Sequence, residues 1–207
     1  LTVTGVPASI YADGNSEYVI YVEGTDPNNN PVVDGTPFEA DAGFISIGGA
    51  SLHNGCYGSS ARIKMKAPTL DIDRSITGGN DDGIGAVDNV QFWHGGTAFT
   101  SVNVTILTGN AYIGSSSIRL PSKVAPGEVV NVGVTINDRW GNPLGDHTLN
   151  LTAAAGSVSG GTQETDAYGE ANGFTWTAPG AAGDYTLNIT DTDPRGGIVI
   201  SETVTVE

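Results

Sequence analysis

The chain has 207 residues, which is enough for one large domain or for two domains of about 100 residues each. Its 38% content of hydrophobic residues supports a packed core and argues against global disorder. With 23 Asp and Glu against 8 Lys and Arg, the formal net charge is -15, and such a field repels phosphate and anionic lipid. Nucleic acid is therefore excluded as a partner, and the lack of a long apolar run excludes direct membrane insertion.

The composition favours strands over helices. The 30 Gly and 10 Pro, together with many Thr, Ser, Asn and Val, suit short β-branched strands joined by tight turns. No segment has the apolar spacing of an amphipathic helix. The single cysteine, Cys56, excludes an internal disulfide. The sequence therefore predicts an all-β fold without a disulfide framework.

The first half of the chain contains one clear strand and one long acidic segment. In the stretch YVIYVEG, which ends at Gly24, the alternation predicts that Val19 and Tyr21 pack inward. Residues 69–98 exceed the matching part of the second half by about a dozen residues and are predicted to be an acidic loop insertion. Insertions at the loop tips of a sandwich often carry function, so this segment is the first candidate for a specific role.

The second half is more regular. Period-2 alternation predicts about seven short strands, separated by turns rich in Gly, Pro, Asn and Asp. This number of strands in about 100 residues is typical of a Greek-key β-sandwich. Trp176, midway along the strand FTWTA, is predicted to pack between the two sheets. The predicted strands are approximately residues 112–120, 128–138, 146–153, 156–159, 171–178, 183–190 and 198–206.

The two halves follow one plan, which indicates a tandem repeat of roughly 105 residues. VEGTDPNNNPVVDGTPFEA aligns with VTINDRWGNPLGDHTLNLTA, so that Asp26 matches Asp138 at an offset of 112 (138 minus 26). Ile10 is matched with Ile118, at the smaller offset of 108 (118 minus 10), which predicts a short insertion in the first hairpin of the second copy. Three further apolar pairs are Ile63 with Phe174, Met65 with Trp176, and Ala67 with Ala178.

The second half resembles a bacterial Ig-like domain of the group found in invasin and intimin. The resemblance is carried by an Asp-x-x-Gly-Asn-Pro turn at residues 138–143, a glycine after the next strand (Gly156) and the turn TDAYGEA at residues 165–171. The first half keeps TDPNNNPVVDGT but has HNGCYGSSA where the family has TDAxGxA, so it resembles the family as a divergent relative. Two tandem immunoglobulin-like Greek-key β-sandwiches are thus implied, residues 1–108 and residues 109–207.

The resemblance also implies a role at the cell surface. In that family such domains usually act in tandem as a stalk, while a distal domain does the recognition. We therefore expect an extracellular structural segment of a surface protein involved in cell adhesion, a rigid stalk or spacer, with any partner bound through the loops of the first domain. The expected partners are other Ig-like modules of the same protein or identical subunits, and a surface glycan or protein.

Two alternatives stay open. The chain is a subunit of a self-assembling extracellular filament, in which an edge strand pairs with the next chain. Or it is a carbohydrate-binding module appended to a larger surface protein or enzyme. In all three cases we expect any signal peptide or anchor to lie outside this chain.

The residues that an enzyme needs are not assembled in the sequence. The three histidines occur in dissimilar loops, and there is no nucleophile elbow or phosphate-binding loop before a helix. Asp71 and Asp73 are paired carboxylates of the kind that glycosidases use, but carboxylates in the loops of an acidic surface are far commoner. We predict that the protein is not an enzyme and requires no cofactor.

Calcium is the one ion that the sequence suggests, because hard cations are held by several oxygens from Asp-rich turns. Asp191 and Asp193 form a smaller acidic turn in the second half. The same residue types also cap turns without a metal, and this interpretation stays open. His53 and Cys56 have the spacing of half a zinc site, but a surface histidine beside a partly buried thiol is the interpretation we favour. The candidate calcium ligands are Asp71, Asp73, Asn80, Asp81, Asp82 and Asp88.

Two tryptophans and three sequons are the remaining candidates. Trp93, and Trp140 at the tip of the RWGNP turn, form either a platform for stacking a carbohydrate or partner, or part of the packing at the core or hinge. The N-x-T sequons all lie on predicted strands, and a chain so rich in Asn and Thr contains about this number by chance. The glycosylation candidates are Asn103, Asn150 and Asn188.

Overall fold

The computed structural model describes residues 1–24, 28, 30, 37–42, 45–47, 50–51, 53–55, 58–67, 87–194 and 196–207. Within this part of the chain every regular element is a β-strand, which confirms the predicted all-β fold. No helix in the same ranges is long and apolar enough to cross a membrane. The chain divides into two compact units. Unit 1 contains the described residues up to Leu107, and unit 2 contains those of Thr108–Glu207.

Unit 1 is a sandwich of two five-stranded sheets. Its strands are β1 (Thr2–Thr4), β2 (Ser9–Tyr11), β3 (Glu17–Gly24), β4 (Pro37–Asp41), β5 (Ser46–Ile47), β6 (Ala50–Ser51), β7 (His53–Gly55), β8 (Gly58–Lys66), β9 (Val87–His94) and β10 (Thr97–Leu107). One sheet has the order β1-β3-β8-β5, with β7 also paired to β8, and the other has the order β2-β10-β9-β4-β6. The pair β2–β10 is parallel.

Unit 2 is a sandwich of one four-stranded and one five-stranded sheet. Its strands are β11 (Ser117–Arg119), β12 (Lys123–Val124), β13 (Val129–Thr135), β14 (Thr148–Ala153), β15 (Ser157–Ser159), β16 (Thr162–Glu164), β17 (Glu170–Thr177), β18 (Gly183–Asp191) and β19 (Val199–Val206). The orders are β11-β13-β17-β15 and β12-β19-β18-β14-β16. The pair β12–β19 is parallel.

The two units repeat one topology, strand for strand, with β7 added in unit 1. The predicted register of the repeat is confirmed at the equivalent strands β8 and β17. Ile63 lies opposite Ile20 of β3, and Phe174 lies opposite Val132 of β13. The prediction of two Greek-key β-sandwiches built on the same plan is therefore confirmed.

The predicted match of Ile10 with Ile118 is wrong. Ile118 of β11 pairs antiparallel with Val134, as Val3 of β1 pairs with Val22. Ile10 belongs to β2, which pairs in parallel with the last strand of its unit as β12 does. Of the predicted strand 112–120, only Ser117–Arg119 is a strand, β11, and β12 follows at Lys123–Val124 in the other sheet. A proline stands at the crossing in both units, in VPASI and in LPSKV, because proline cannot donate a hydrogen bond to a ladder.

The predicted inward face of YVIYVEG is also wrong. Ile20 and Val22 are fully buried, whereas Val19 and Tyr21 are 43% and 38% exposed. Apolar residues occupy both faces of this strand, so alternation alone does not choose between them. The exposed Tyr21 ring is covered by the guanidinium of Arg62 at 5.2 Å, which explains how an outward tyrosine is accommodated.

The predicted acidic insertion at 69–98 extends too far. Residues 87–94 form β9, a central strand of its sheet, and β10 begins at Thr97. In β9 the alternate side chains of Asp88, Val90 and Phe92 are buried. The aspartate in a buried position hid the period-2 pattern. Residues 69–86 lie outside the described part of the chain.

The core of unit 2 lies between its two sheets and is centred on Trp176. The indole is fully buried, and its Nε1–H donates to the carbonyl of Ala155 at 2.9 Å, so the prediction that Trp176 packs between the sheets is confirmed. Aliphatic side chains surround it because β-branched and leucine residues alternate with polar ones along the central strands. They include Val130, Val132, Val134, Leu149, Leu151, Leu187, Ile189, Val204 and Val206.

Replacing this indole should show how much of the core depends on it. We expect Trp176→Ala to destabilise unit 2 by about 3–5 kcal/mol, since truncating a buried aromatic side chain leaves a cavity. Trp140→Ala is the matched control, because Trp140 is 37% exposed and its loss should cost roughly 1 kcal/mol or less. Urea unfolding followed by the amide NMR signals of unit 2 measures both, and equal losses would contradict the packing described.

Candidate functional site

Buried polar side chains collect at one end of unit 2, where the connections β13–β14, β16–β17 and β18–β19 meet. We call this region the polar end and define it as residues 136–147, 165–169, 191–194 and 196–198. Backbone hydrogen bonds join the three connections, including Ile136 N–H to Gly169 O and Thr165 N–H to His147 O. The buried polar residues here are Asp138, Asn142, His147, Thr165 and Asp191.

Asp138 organises the RWGNP turn. Its fully buried carboxylate accepts four hydrogen bonds, from the backbone N–H groups of Trp140, Asn142 and Gly109 and from the side-chain amide of Asn142, at 2.7–2.9 Å. Gly141 closes the turn at φ 88°, a left-handed conformation that favours glycine. These contacts give a physical reason for the Asp, Gly and Asn of the turn signature, which hold one backbone conformation together.

The same carboxylate fixes the segment that enters unit 2. Gly109 donates to it at 2.8 Å, and Ser115 Oγ donates to the Asp138 carbonyl at 2.5 Å. A side chain at position 109 would lie 2.8 Å from the Trp140 ring, so the glycine allows the close approach of the indole. Trp140 therefore packs on the entering segment of its own unit, and a role for this side chain in binding a ligand or partner stays a prediction. The Arg139 guanidinium lies 5.0 Å from its ring.

A second buried network joins all three connections. His147 Nδ1 lies 2.7 Å from Asp191 Oδ2, with both side chains almost completely buried. The His147 backbone N–H donates to Thr165 Oγ1, whose hydroxyl donates to Leu144 O. A Cβ at Gly196 would lie 1.9 Å from Asp191, so glycine is needed there. This histidine joins the loops through its buried hydrogen bonds, and sequence reasoning did not find the pair.

The candidate calcium ligands are only partly placed by the structure. Asp71, Asp73, Asn80, Asp81 and Asp82 lie outside the described residues. Asp88 is buried in β9, where its carboxylate accepts the Ile45 N–H at 2.8 Å.

The other residues considered for metal binding are also dispersed. Asp191 is bonded to His147, as described above. Of the proposed half zinc site, His53 lies in β7 and Cys56 is outside the described residues. No group of three His, Cys, Asp or Glu among the described residues is placed to hold a metal. Calcium binding therefore stays a prediction.

The three sequon asparagines lie on the outer faces of ladder-paired strands. Asn103 Oδ1 accepts a hydrogen bond from Asn89 Nδ2 at 2.7 Å, and Asn188 Oδ1 accepts one from Ser201 Oγ at 2.6 Å. Asn150 is exposed in β14, between β16 and β18. Glycosylation at these positions stays a prediction.

Trp93 lies on the outer face of unit 1, in the sheet β2-β10-β9-β4-β6. It stands directly opposite Glu39 of β4, and its neighbours line an open groove of about 420 Å³. His94, at the end of the same strand, is exposed with Nδ1 at 2.7 Å from Pro37 O. The groove is lined by Glu39, Ala40, Asp41 and Trp93.

Three groups with altered pKa values occur at the start of β3. Burial raises the pKa of Asp13, but hydrogen bonds from the hydroxyl and backbone N–H of Ser16 and from Asn15 outweigh this and lower it. The pKa of Glu17 is lowered by the hydrogen bond and positive charge of Lys64 at 2.5 Å. Burial, with the charge of Asp13, raises the pKa of Tyr18. These shifts arise from local turn and strand contacts.

No protein-family model and no curated protein matches the sequence. Solved structures share the fold. Invasin, described as a bacterial integrin-binding protein, matches with a TM-score of 0.55 and 16% identity over 100% of this chain and 39% of invasin. InvD of Yersinia pseudotuberculosis matches with a TM-score of 0.52 and 16% identity, over 99% of this chain and 56% of InvD.

FdeC, an Escherichia coli adhesin, matches with a TM-score of 0.52 and 15% identity, over 98% of this chain and 62% of FdeC. The chain thus spans less than two thirds of the length of each of these three structures. At this identity the matches establish the fold alone, which is an Ig-like β-sandwich as in invasin. The resemblance to invasin-type Ig-like domains is confirmed at the level of structure.

Removing the Asp138 carboxylate should loosen the entry to unit 2. We expect Asp138→Ala to cost about 2–4 kcal/mol of unfolding free energy, because it leaves four N–H groups without their acceptor. Amide hydrogen exchange at Gly109 should accelerate at the same time.

Asp166→Ala is the matched control. The exposed Asp166 accepts N–H bonds from Tyr168 and Glu170 in the neighbouring turn, and its loss should cost roughly 1 kcal/mol or less. Unchanged exchange at Gly109 in Asp138→Ala would show that the carboxylate does not hold the entering segment.

Proposed function

We propose that this chain is a non-enzymatic, extracellular segment of a bacterial surface protein of the adhesin type, and that it acts as a stalk that transmits force. The fold supports the first part, since invasin and FdeC, both matched by structure, are described as an integrin-binding protein and an adhesin. The buried state of the His147–Asp191 pair supports a structural role for the groups that otherwise resemble part of a catalytic site.

The parallel pairing of the second strand with the last strand of each unit carries the mechanical part of the proposal. In unit 2, Thr205 N–H donates to Ser122 O and Glu207 N–H donates to Val124 O, both at 3.0 Å. The strands β12 and β19 run in the same direction. A force that pulls β12 toward its N-terminal end and β19 toward its C-terminal end therefore slides the two strands past each other. Both hydrogen bonds then bear the force together instead of opening in turn.

Unit 1 has the same arrangement. Thr105 N–H donates to Ala8 O and Ala12 N–H donates to Leu107 O, each at 2.9 Å, on either side of the parallel pair β2–β10. A repeated clamp of this kind suits a chain of modules in series, in which the weakest module sets the force that the whole withstands. The repetition therefore favours a stalk over a single isolated binding domain.

The proposal includes the location and partners. We place the chain at the cell surface, with the modules divided near residues 108 and 109, and with other Ig-like modules of the same protein as neighbours. A receptor protein is the class of external partner favoured here, by analogy with the integrin-binding description of invasin. The filament and carbohydrate-binding alternatives stay predictions.

Single-molecule stretching tests the clamp. Thr205→Pro removes the N–H that donates to Ser122, so we expect unit 2 to unfold at a clearly lower force while unit 1 is unchanged and serves as an internal reference. Forced unfolding is governed by the unfolding rate, so the loss should also appear as faster unfolding in denaturant.

Thr203→Pro is the matched control. Thr203 lies two residues earlier on β19, outside the register shared with β12, and its hydroxyl contacts Thr186 much as Thr205 contacts Asp184. We expect a smaller fall in unfolding force for this variant. If both variants weaken unit 2 equally, or neither does, the parallel pair is not the clamp.

A further inference from the structure

The groove beside Trp93 combines an aromatic face with two carboxylates on one side of a sheet. Glu39 and Asp41 are separated by one residue on β4, so both point outward together with Trp93 on β9. Register places Glu39 opposite Trp93 and Asp41 opposite Gln91. The groove therefore lies between an indole and two acidic side chains that are held by the strands and not by a loop.

The acidic side chains of this groove have no positive neighbour in the described part of the chain. Asp41 accepts only the N–H of Ala42, at 3.0 Å, and Glu39 has no hydrogen bond or ion pair there. The described cations of unit 1, Arg62, Lys64 and Lys66, all belong to β8, which is in the opposite sheet. The groove is thus an anionic site that the unit does not neutralise from its own residues.

Two other partly exposed aromatic rings of this chain each have a guanidinium group over the ring face. Tyr21 is covered by Arg62 at 5.2 Å, and Trp140 is covered by Arg139 at 5.0 Å. Trp93 has no such cation over its ring within the described residues and has carboxylates beside it instead. A cation placed over the indole would gain both the attraction of the ring face and that of the carboxylates.

We propose that the Trp93 groove binds a cationic side chain, an arginine guanidinium or a lysine ammonium, presented by a basic segment of a partner protein. The guanidinium stacks on the indole of Trp93 and donates hydrogen bonds to Glu39 and Asp41. The net charge of -15 attracts a basic partner and adds to the rate of encounter. This site does not depend on the mechanical role proposed above, and the stretching experiment leaves it unaffected.

A neutral sugar fits the groove less well. Sugar-binding sites fix hydroxyl groups with both donors and acceptors, whereas the carboxylates of Glu39 and Asp41 are acceptors only. Two negative charges so close together are better compensated by a cation than by a neutral ligand. The carbohydrate interpretation of Trp93 is therefore kept as an outcome of the test.

NMR titration of the intact chain with short capped peptides provides the test. The probe is acetyl-Gly-Arg-Gly-amide, with acetyl-Gly-Gln-Gly-amide as the neutral peptide and cellobiose as the neutral sugar. The indole N–H signal of Trp93, assigned by its absence in Trp93→Phe, and the amide signals of residues 39–41 report binding. We expect these signals to shift with the arginine peptide at about millimolar concentration, and to shift less as salt is added.

Matched variants separate a specific site from general negative charge. Glu39→Gln should weaken binding of the arginine peptide about fivefold or more, while Glu202→Gln, which removes an exposed carboxylate from β19 of unit 2, should leave it unchanged. Both variants have the same net charge and both substituted side chains are exposed, so folding is retained. Equal effects of the two variants, an equal response to cellobiose, or no shift at Trp93 would each overturn the proposal.

Discussion

The N-terminal segment of each unit forms two strands in different sheets, β1 and β2 in unit 1 and β11 and β12 in unit 2. This division is the constraint on which each unit depends. The chain pairs antiparallel with one sheet, crosses at a proline, and then pairs in parallel with the last strand of the other sheet. Pro7 and Pro121 stand at these crossings, where a residue without an N–H cannot continue a ladder. One segment therefore closes both sheets of its sandwich, and the parallel pair that results joins the beginning of each unit to its end.

The sequence predicted correctly the strands whose apolar and polar residues alternate regularly. It failed where the same residue type occurs in both buried and exposed positions. Trp176 was identifiable because it shares one face of a strand of clear period with Phe174, and both side chains are buried. Val19 and Tyr21 were placed on the wrong face because apolar residues fill both sides of YVIYV. The crossing was missed too, although the prolines of VPASI and LPSKV align the two copies better than Ile10 and Ile118 do.

The acidic turns show the same ambiguity in chemical terms. A carboxylate can be satisfied by several N–H donors or by a metal, and the residue types around it are alike in both cases. Asp138 accepts four N–H bonds, and Asp191 is bonded to a buried histidine 44 residues away in sequence. Only the second contact was beyond the reach of sequence, because it depends on the meeting of two loops that the strand order brings together.

The buried core and the turns determine the fold of each unit, so the residues on the outer sheet faces can differ between unit 1 and unit 2. In unit 2 the polar side chains of β18 and β19 bond to one another across the strands, Asn188 to Ser201 and Asp184 to Thr205. On the equivalent sheet of unit 1, the carboxylate of Glu39 stands beside Trp93 without such a partner among the described residues. A face whose polar groups hydrogen-bond to one another gains little free energy from binding a ligand. A carboxylate without a partner beside an indole gains much more from binding a cation. The proposed recognition site therefore lies on an outer sheet face of unit 1, while the mechanical role proposed for both units rests on the framework that they share.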